Sequence, residues 1–284
     1  MGEDALCDAS FKDCETLGIK LRCGQEAVGL DPEKKELILD HKEILRFDGL
    51  VIAVGGRPRI PENYLAFRGC MLTLKTLEDA RTWKAKLSRV ESVLLIGGDL
   101  TSFAMTSALL QMKKRISFLL DERALWPLRS DPFLQDEIRR RLAEKGVHLL
   151  HGKKLRNMIQ VSERRFHVQT EKESVEVGLV GAFFGLVPDI HFLASSGLTI
   201  DRGIMVDEYL NAGVEGIFAA GDCAQVYHPE IRDYWVSVGH DNALALGRIA
   251  AANLLGGRLP ATVSKESLHT VQGVRVNSSW WMDY

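Results

Sequence analysis

Apolar and polar positions run along this chain in blocks, and the blocks change their period. Short continuous apolar runs alternate with amphipathic stretches of helical repeat, the pattern of an α/β protein with a largely parallel sheet. The clearest block is SVLLIGGDLTSFAMTSALLQMKKRISFLLDE, residues 92–122. It predicts strand, glycine turn, helix and strand, one βαβ unit of about 30 residues. Before it, residues 76–87 predict a helix with Thr76 as N-cap and Asp79 three residues on, a capping box with a shorter acid. After it, residues 136–152 predict an amphipathic helix that stops at Gly146 and runs into a strand, and RRFHVQT and SVEVGLVGAFFG predict more strands.

The flanks read in the same way. Residues 9–17 predict a short helix end, and GIKLRCGQEAVGLDPEKKELIL predicts two strands around a turn at Asp31-Pro32. DGLVIAVGGRPRIP, residues 48–61, predicts an apolar strand buried on both faces, whose Gly-rich end meets something that comes close to the backbone. Residues 203–224 return to strand and turn, and GIFAAGDCAQV predicts a strand ending in Gly221-Asp222 that turns into a helix start. Residues 242–257 predict a helix rich in small residues, closed by Gly-Gly. The last stretch, residues 269–284, predicts a strand-like piece with nothing to pair with, and Trp280 and Trp281 within it are candidate partner contacts.

Composition narrows the class. With 284 residues, 46% hydrophobic and 26% charged, the chain has the length for two ordinary globular domains. A net charge of −2 points to no nucleic-acid or anionic-membrane partner. No apolar run approaches the roughly 18 residues of a membrane span, and the first residues lack the basic and apolar regions of a secretory signal. Five cysteines without CxxC spacing argue against a zinc site and a disulfide framework, and for a reducing cytoplasmic setting. Cys14 and Cys23 could meet across a turn, but nothing in their setting would lower a thiol pKa.

Two glycine turns carry the candidate chemistry. At Gly221-Asp222 the carboxylate has two readings: an N-cap for a helix from Cys223, or an acceptor for the hydroxyls of a sugar or ribityl chain. At Gly97-Gly98-Asp99 the pattern follows the dinucleotide signature GxGxxG only at its first glycine. Asp99 takes the second position, where the backbone should admit a pyrophosphate, and Ser102 takes the third, where helix and strand pack closely. Like charges about 4 Å apart repel by about 4 kcal/mol at an effective dielectric near 20, which would remove most of a micromolar affinity. Asp121 or Glu122, at the end of the next strand, stands where a ribose 2′-OH would be held in an NAD site. The unit either still binds NAD(H) usefully or is a βαβ unit kept for folding.

Together these segments resemble the flavoprotein pyridine nucleotide–disulfide oxidoreductase superfamily, nearest its NADH:rubredoxin and ferredoxin reductases and the flavin part of NADH nitrite reductases. DGLVIAVGGRPRIP resembles the family's LVIATGGRPR segment, with Val54 for the usual Thr. TLEDARTW resembles the helix leading into the NAD domain, residues 185–210 its exit, and GIFAAGDCAQVY the flavin motif. The resemblance implies two Rossmann-like, doubly wound, three-layer domains, the FAD-type one discontinuous and incomplete. It implies a first FAD-type part at residues 1–80, an inserted NAD(P)-binding-like domain at 81–204, a second FAD-type part at 205–260 and the start of an interface region at 261–284.

By the same resemblance, Asp222 binds the FAD ribityl chain, with Gly221 and Cys223 offering backbone near the diphosphate and Val54 and Gly55 beside them. Trp235 lies by the flavin ring or its entrance. Gly97 and Gly98 face the nicotinamide dinucleotide, and Phe184 and Gly185 lie near the nicotinamide in a turn that runs to Pro188. Electrons pass from NAD(P)H through FAD to a protein or small-molecule acceptor. The family's first βαβ segment, which seats the FAD adenosine diphosphate, has no counterpart before Asp8, so a second polypeptide, a homo-oligomer or a further N-terminal stretch is expected to complete the seat. Ala104 stands where the family's NAD helix has Glu, and His240 is read as structural and not as a catalytic base. A non-catalytic or partner-dependent relative with weakened dinucleotide binding is the alternative.

Overall fold

A computed structural model describes residues 11–121, 132–151, 154–230, 232–236, 239–261, 268–271 and 274–277. Its centre is a four-stranded sheet in the order Leu179–Phe183, Ser92–Gly97, Arg115–Leu120, His148–Leu149, all parallel. Val93, Leu94, Leu95 and Ile96 are all fully buried, so the strand's apolar run has no polar face because neither side meets water. Val93 and Leu95 pack against helices Leu77–Leu87, Leu100–Gln111 and Pro132–Glu144. Leu94 and Ile96 pack against Tyr64, Met71 and a three-stranded antiparallel sheet made of Leu155–Ser162, Arg165–Thr170 and Ser174–Val177. The expected three layers are present, with an antiparallel sheet in place of the second helix layer. The alternating burial of Arg165–Thr170 explains this: such a strand covers a core with one face and leaves the other to water.

The second region is built from shorter pieces. Leu50–Ile52 pairs parallel with Ile217–Ala219, and Ile204–Val206 pairs parallel with Ala224–His228, which also takes Asp233–Val236 antiparallel. Helix His240–Leu254 closes this core through Leu246 and Ala250. An antiparallel sheet of Ala27–Asp31, Glu36–Leu39 and Ile44–Arg46 precedes it in the chain. Gly56–Pro58 and Leu186–Pro188 form an antiparallel ribbon between the segments that feed the two regions. Ile60, Tyr64, Phe67 and Met71 pack with the parallel sheet, whereas Ile190, Phe192, Leu193 and Leu198 pack with the second core.

The capping box is formed as the sequence implies: Thr76 accepts the Asp79 N–H, and Asp79 accepts the Thr76 N–H. Three expectations are corrected. Residues 48–61 are not one strand, because the chain turns after Ile52 and Gly56–Pro58 pairs elsewhere. Gly221–Cys223 is a single 3-10 turn followed by strand Ala224–His228, so no helix starts at Cys223. Ala224–Val226 satisfies its backbone by joining Ile204–Val206 on one side, and its length pairs with Asp233–Val236 on the other. Near the end, Leu268–Val271 pairs antiparallel with Val274–Asn277, so that stretch supplies its own partner strand. Trp280 and Trp281 lie outside the described residues. Among the described residues, no helix is long and apolar enough to cross a membrane.

Candidate functional site

The first cluster gathers at the carboxyl ends of Leu50–Ile52 and Ile217–Ala219. Ala220 N–H donates to the Ile52 carbonyl at 3.0 Å, which keeps the two strand ends level as the chain leaves the sheet. Gly221 then takes φ +76, and an added Cβ would stand 3.4 Å from the Ala243 Cβ, against the first turn of helix His240–Leu254. This turn aims Asp222 at the start of that helix. Its Oδ1 accepts the Gly239 N–H at 3.2 Å and its Oδ2 accepts Lys75 Nζ at 3.1 Å. The Asp222 side chain is only 12% exposed. A carboxylate before a helix N-terminus is favoured by the free N–H groups and the helix dipole.

Lys75 is held from behind. Its own N–H donates to Asp79 at 2.9 Å, the same carboxylate that closes the capping box. Val54 and Gly55 follow strand Leu50–Ile52, and their N–H groups point to the Cys223 sulfur. Cys223 is fully buried, its Sγ lies 3.3 Å from the Ala220 carbonyl, and burial pushes its thiol pKa up. Such a thiol is a packing group and not a nucleophile. Val54 by contrast is 45% exposed, an apolar side chain at the mouth of the cluster. The structure therefore brings Val54, Gly55, Gly221, Asp222 and Cys223 together, and adds Lys75, which sequence reasoning missed. Only its place just before the capping box hinted at a fixed position.

Trp235 is buried on strand Asp233–Val236, with its ring 6.2 Å from that of His228. His240 opens helix His240–Leu254. Asp222 uses two of the roughly four acceptor directions of a carboxylate, so it can still accept from hydroxyls of a bound polyol, and on this ground the residues fit a ribityl chain.

The second cluster lies at the carboxyl ends of the parallel sheet. Gly97 has φ +123, and a Cβ there would fall 1.8 Å from the Phe183 carbonyl oxygen. The adjacent strand, and not a ligand, demands glycine at this position. Gly98 N–H donates to that same carbonyl at 3.0 Å. Asp99 caps helix Leu100–Gln111: its Oδ1 accepts the Ser102 N–H at 2.8 Å. Its Oδ2 accepts the Gly185 N–H, also at 2.8 Å. Burial pushes the Asp99 carboxyl pKa up, and the N–H groups of Ser102, Gly185 and Thr101 offset this only in part. Ser102, at the third position of the signature, is fully buried, and its hydroxyl donates to the Asp99 carbonyl at 2.6 Å.

Asp121 is buried as well; its N–H donates to the Gly97 carbonyl at 2.9 Å, and its Oδ2 lies 3.4 Å from the Tyr64 hydroxyl. The Tyr64 ring packs 4.7 Å from Phe184. Glu122, its alternative, lies outside the described residues. Gly97, Gly98, Asp99, Asp121 and Gly185 are thus neighbours, as the sequence implied. The turn where the sequence implies a diphosphate nevertheless holds the chain's own carboxylate, and as it stands it does not fit a second anion.

The family described as pyridine nucleotide-disulphide oxidoreductase matches residues 5–242. The chain belongs to this family. Among curated relatives, it is 28% identical over 218 residues to a nitric oxide reductase FlRd-NAD(+) reductase of Shigella flexneri, covering 76% of this chain and 55% of the relative. A protein of the same name from Citrobacter koseri is 29% identical over 215 residues, with the same two shares. The chain spans about half the length of these relatives. Among solved structures, the covalent putidaredoxin reductase–putidaredoxin complex matches with a TM-score of 0.81 at 24% identity, over 92% of this chain and 64% of that one. The water-forming NADH oxidase of Lactobacillus brevis bound to NADH matches with a TM-score of 0.78 at 19% identity, over 93% and 59%. Both show the family's fold.

Proposed function

We propose that this chain works as part of a flavoprotein oxidoreductase, moving electrons from NAD(P)H through FAD to a protein or small-molecule acceptor. The observation that carries this reading is the Asp222 carboxylate, fixed between Lys75 and the N-terminus of helix His240–Leu254 at the ends of two parallel strands. Ligands of parallel sheets bind at such strand ends. Asp222 would hold the ribityl chain, the Gly221–Cys223 turn and the helix start would face the phosphates, and exposed Val54 would lie along the cofactor. Bound FAD would supply the redox chemistry; the protein's part is to hold, orient and shield. Lys75 would hold Asp222 in place. The names of the relatives support an NAD-linked donor and, in the putidaredoxin reductase complex, a protein acceptor for that reductase.

The proposed division of the chain follows the packing. Crossings near residues 59 and 189, at the Gly56–Pro58 and Leu186–Pro188 ribbon, suit the apolar clusters better than boundaries at 80 and 204. The third part would then begin near 189, and residues 261–284 would begin an interface region. A reducing, cytoplasmic setting belongs to the same reading, supported by free Cys14, Cys23, Cys70 and Cys223.

The test is the visible absorbance spectrum of the purified chain before and after FAD is added, followed by NADH. Equimolar bound flavin that bleaches with NADH is expected. A colourless protein that ignores FAD overturns the reading for this chain on its own, and a second polypeptide that restores the spectrum would favour the partner-dependent alternative.

A further inference from the structure

In the parallel sheet, Ser92–Gly97 lies between Leu179–Phe183 and Arg115–Leu120. The chain leaves Ser92–Gly97 toward Arg115–Leu120, by way of helix Leu100–Gln111, and reaches Leu179–Phe183 on the other side only later. The strand order therefore reverses between these two neighbours. In parallel sheets a ligand crevice opens at the carboxyl ends of such a pair. Asp99 and Gly185 are the residues just past those two ends, and they are bonded to each other across the crevice.

We propose that Asp99 is an internal stand-in for a dinucleotide phosphate: it occupies the crevice of the parallel sheet, NAD(H) enters only by displacing it, and Asp99 sets a low affinity. The inference rests on the oxidoreductase reading above, because the crevice is the dinucleotide seat only if the chain uses a nicotinamide donor.

Geometry separates this role from simple helix capping. A cap needs only the Ser102 N–H, which Oδ1 takes. Oδ2 has a second task, since it reaches a backbone 86 positions further along the chain and fastens the two lips of the crevice together. A phosphate in this place would need the same helix N–H groups, and a helix N-terminus that already holds one anion has little attraction left for another. The side chain also fills the space that glycine leaves open at the second signature position. The partners that hold the carboxylate are backbone N–H groups, which stabilise it without cancelling its charge. Its burial raises the carboxyl pKa, and the Ser102 and Gly185 N–H bonds hold the group in place against that desolvation.

The experiment compares the whole chain with Asp99→Gly and Asp99→Ser by titration with NADH, read by NADH fluorescence. Serine is itself a good N-cap but is too short to span to Gly185, so Asp99→Ser carries the test if Asp99→Gly does not fold. Both variants are expected to bind NADH at least about tenfold tighter than the parent chain, a change of about 1.4 kcal/mol. Equal affinity in all three proteins, or no NADH binding by any of them, overturns the proposal. Flavin absorbance in the same samples keeps the two readings apart. A gain in NADH affinity without flavin supports the role of Asp99 and counts against the flavoprotein reading. Bound flavin without a gain does the reverse.

Discussion

Lys75 and Asp222 stand 147 positions apart in the chain, and their side chains meet at 3.1 Å. The pair joins the segment before helix Leu77–Leu87 to the turn before strand Ala224–His228. Its partly exposed ammonium limits what the pair adds to stability. Lys75→Met is expected to lower unfolding free energy by less than about 1 kcal/mol in urea melts. FAD affinity should fall far more in Asp222→Ala, by roughly tenfold or more, because a charge-assisted bond to a hydroxyl is removed. Equal flavin binding by the parent chain and Asp222→Ala would refute the assigned role.

Gly97 is fixed by the neighbouring strand. A methyl group there would collide with the Phe183 carbonyl at 1.8 Å and would also sit at φ +123. Gly97→Ala should therefore destabilise by more than about 2 kcal/mol, since overpacking and backbone strain act together. Thermal melting followed by circular dichroism measures this; an unchanged midpoint would show that the two strands can separate at little cost.

Acid should act on two carboxyl groups in opposite ways. Arg140 and Arg141 beside Glu137 hold its carboxyl pKa down, from the usual 4.5 to about 2. Its contribution is full above 4.5 and is lost as pH falls toward about 2. Asp99 has its carboxyl raised above 3.8, so its folded form takes up a proton before the unfolded chain does, and its ionised form weighs against folding at neutral pH. As pH falls from 7 through the raised value, the parent chain should gain stability relative to Asp99→Ser. The parent should lose it relative to Glu137→Gln at still lower pH. Urea midpoints across that range test both signs.

Cys223 should be silent toward thiol reagents while the chain is folded. It is buried, its pKa is raised by that burial, and its sulfur lies against the Ile52 and Ala220 carbonyls. Cys23 is exposed and should label before Cys14, Cys70 and Cys223. Mass spectrometry after pulsed alkylation should find Cys223 modified only in step with global unfolding. Early labelling would mean that the turn around Asp222 opens locally.

The amino-acid sequence by itself determined the local order of this protein. Periodicity placed the strand, turn, helix and strand of residues 92–120, and Thr76 with Asp79 marked a helix start that the backbone adopts, because these signals depend on near neighbours. The Gly-Asp turn and the glycine turn after Ile96 pointed to both clusters, since each is a short stretch with its own chemistry. Tertiary structure decided the conformation beyond Cys223: Ala224–His228 became a strand because two partner strands, not adjacent residues, satisfy its backbone. The antiparallel sheet in the third layer, the Lys75 contact and the Asp99 bond to Gly185 were decided in the same way. Each joins groups far apart in the chain, and no local pattern specifies the distance between them until the core has packed.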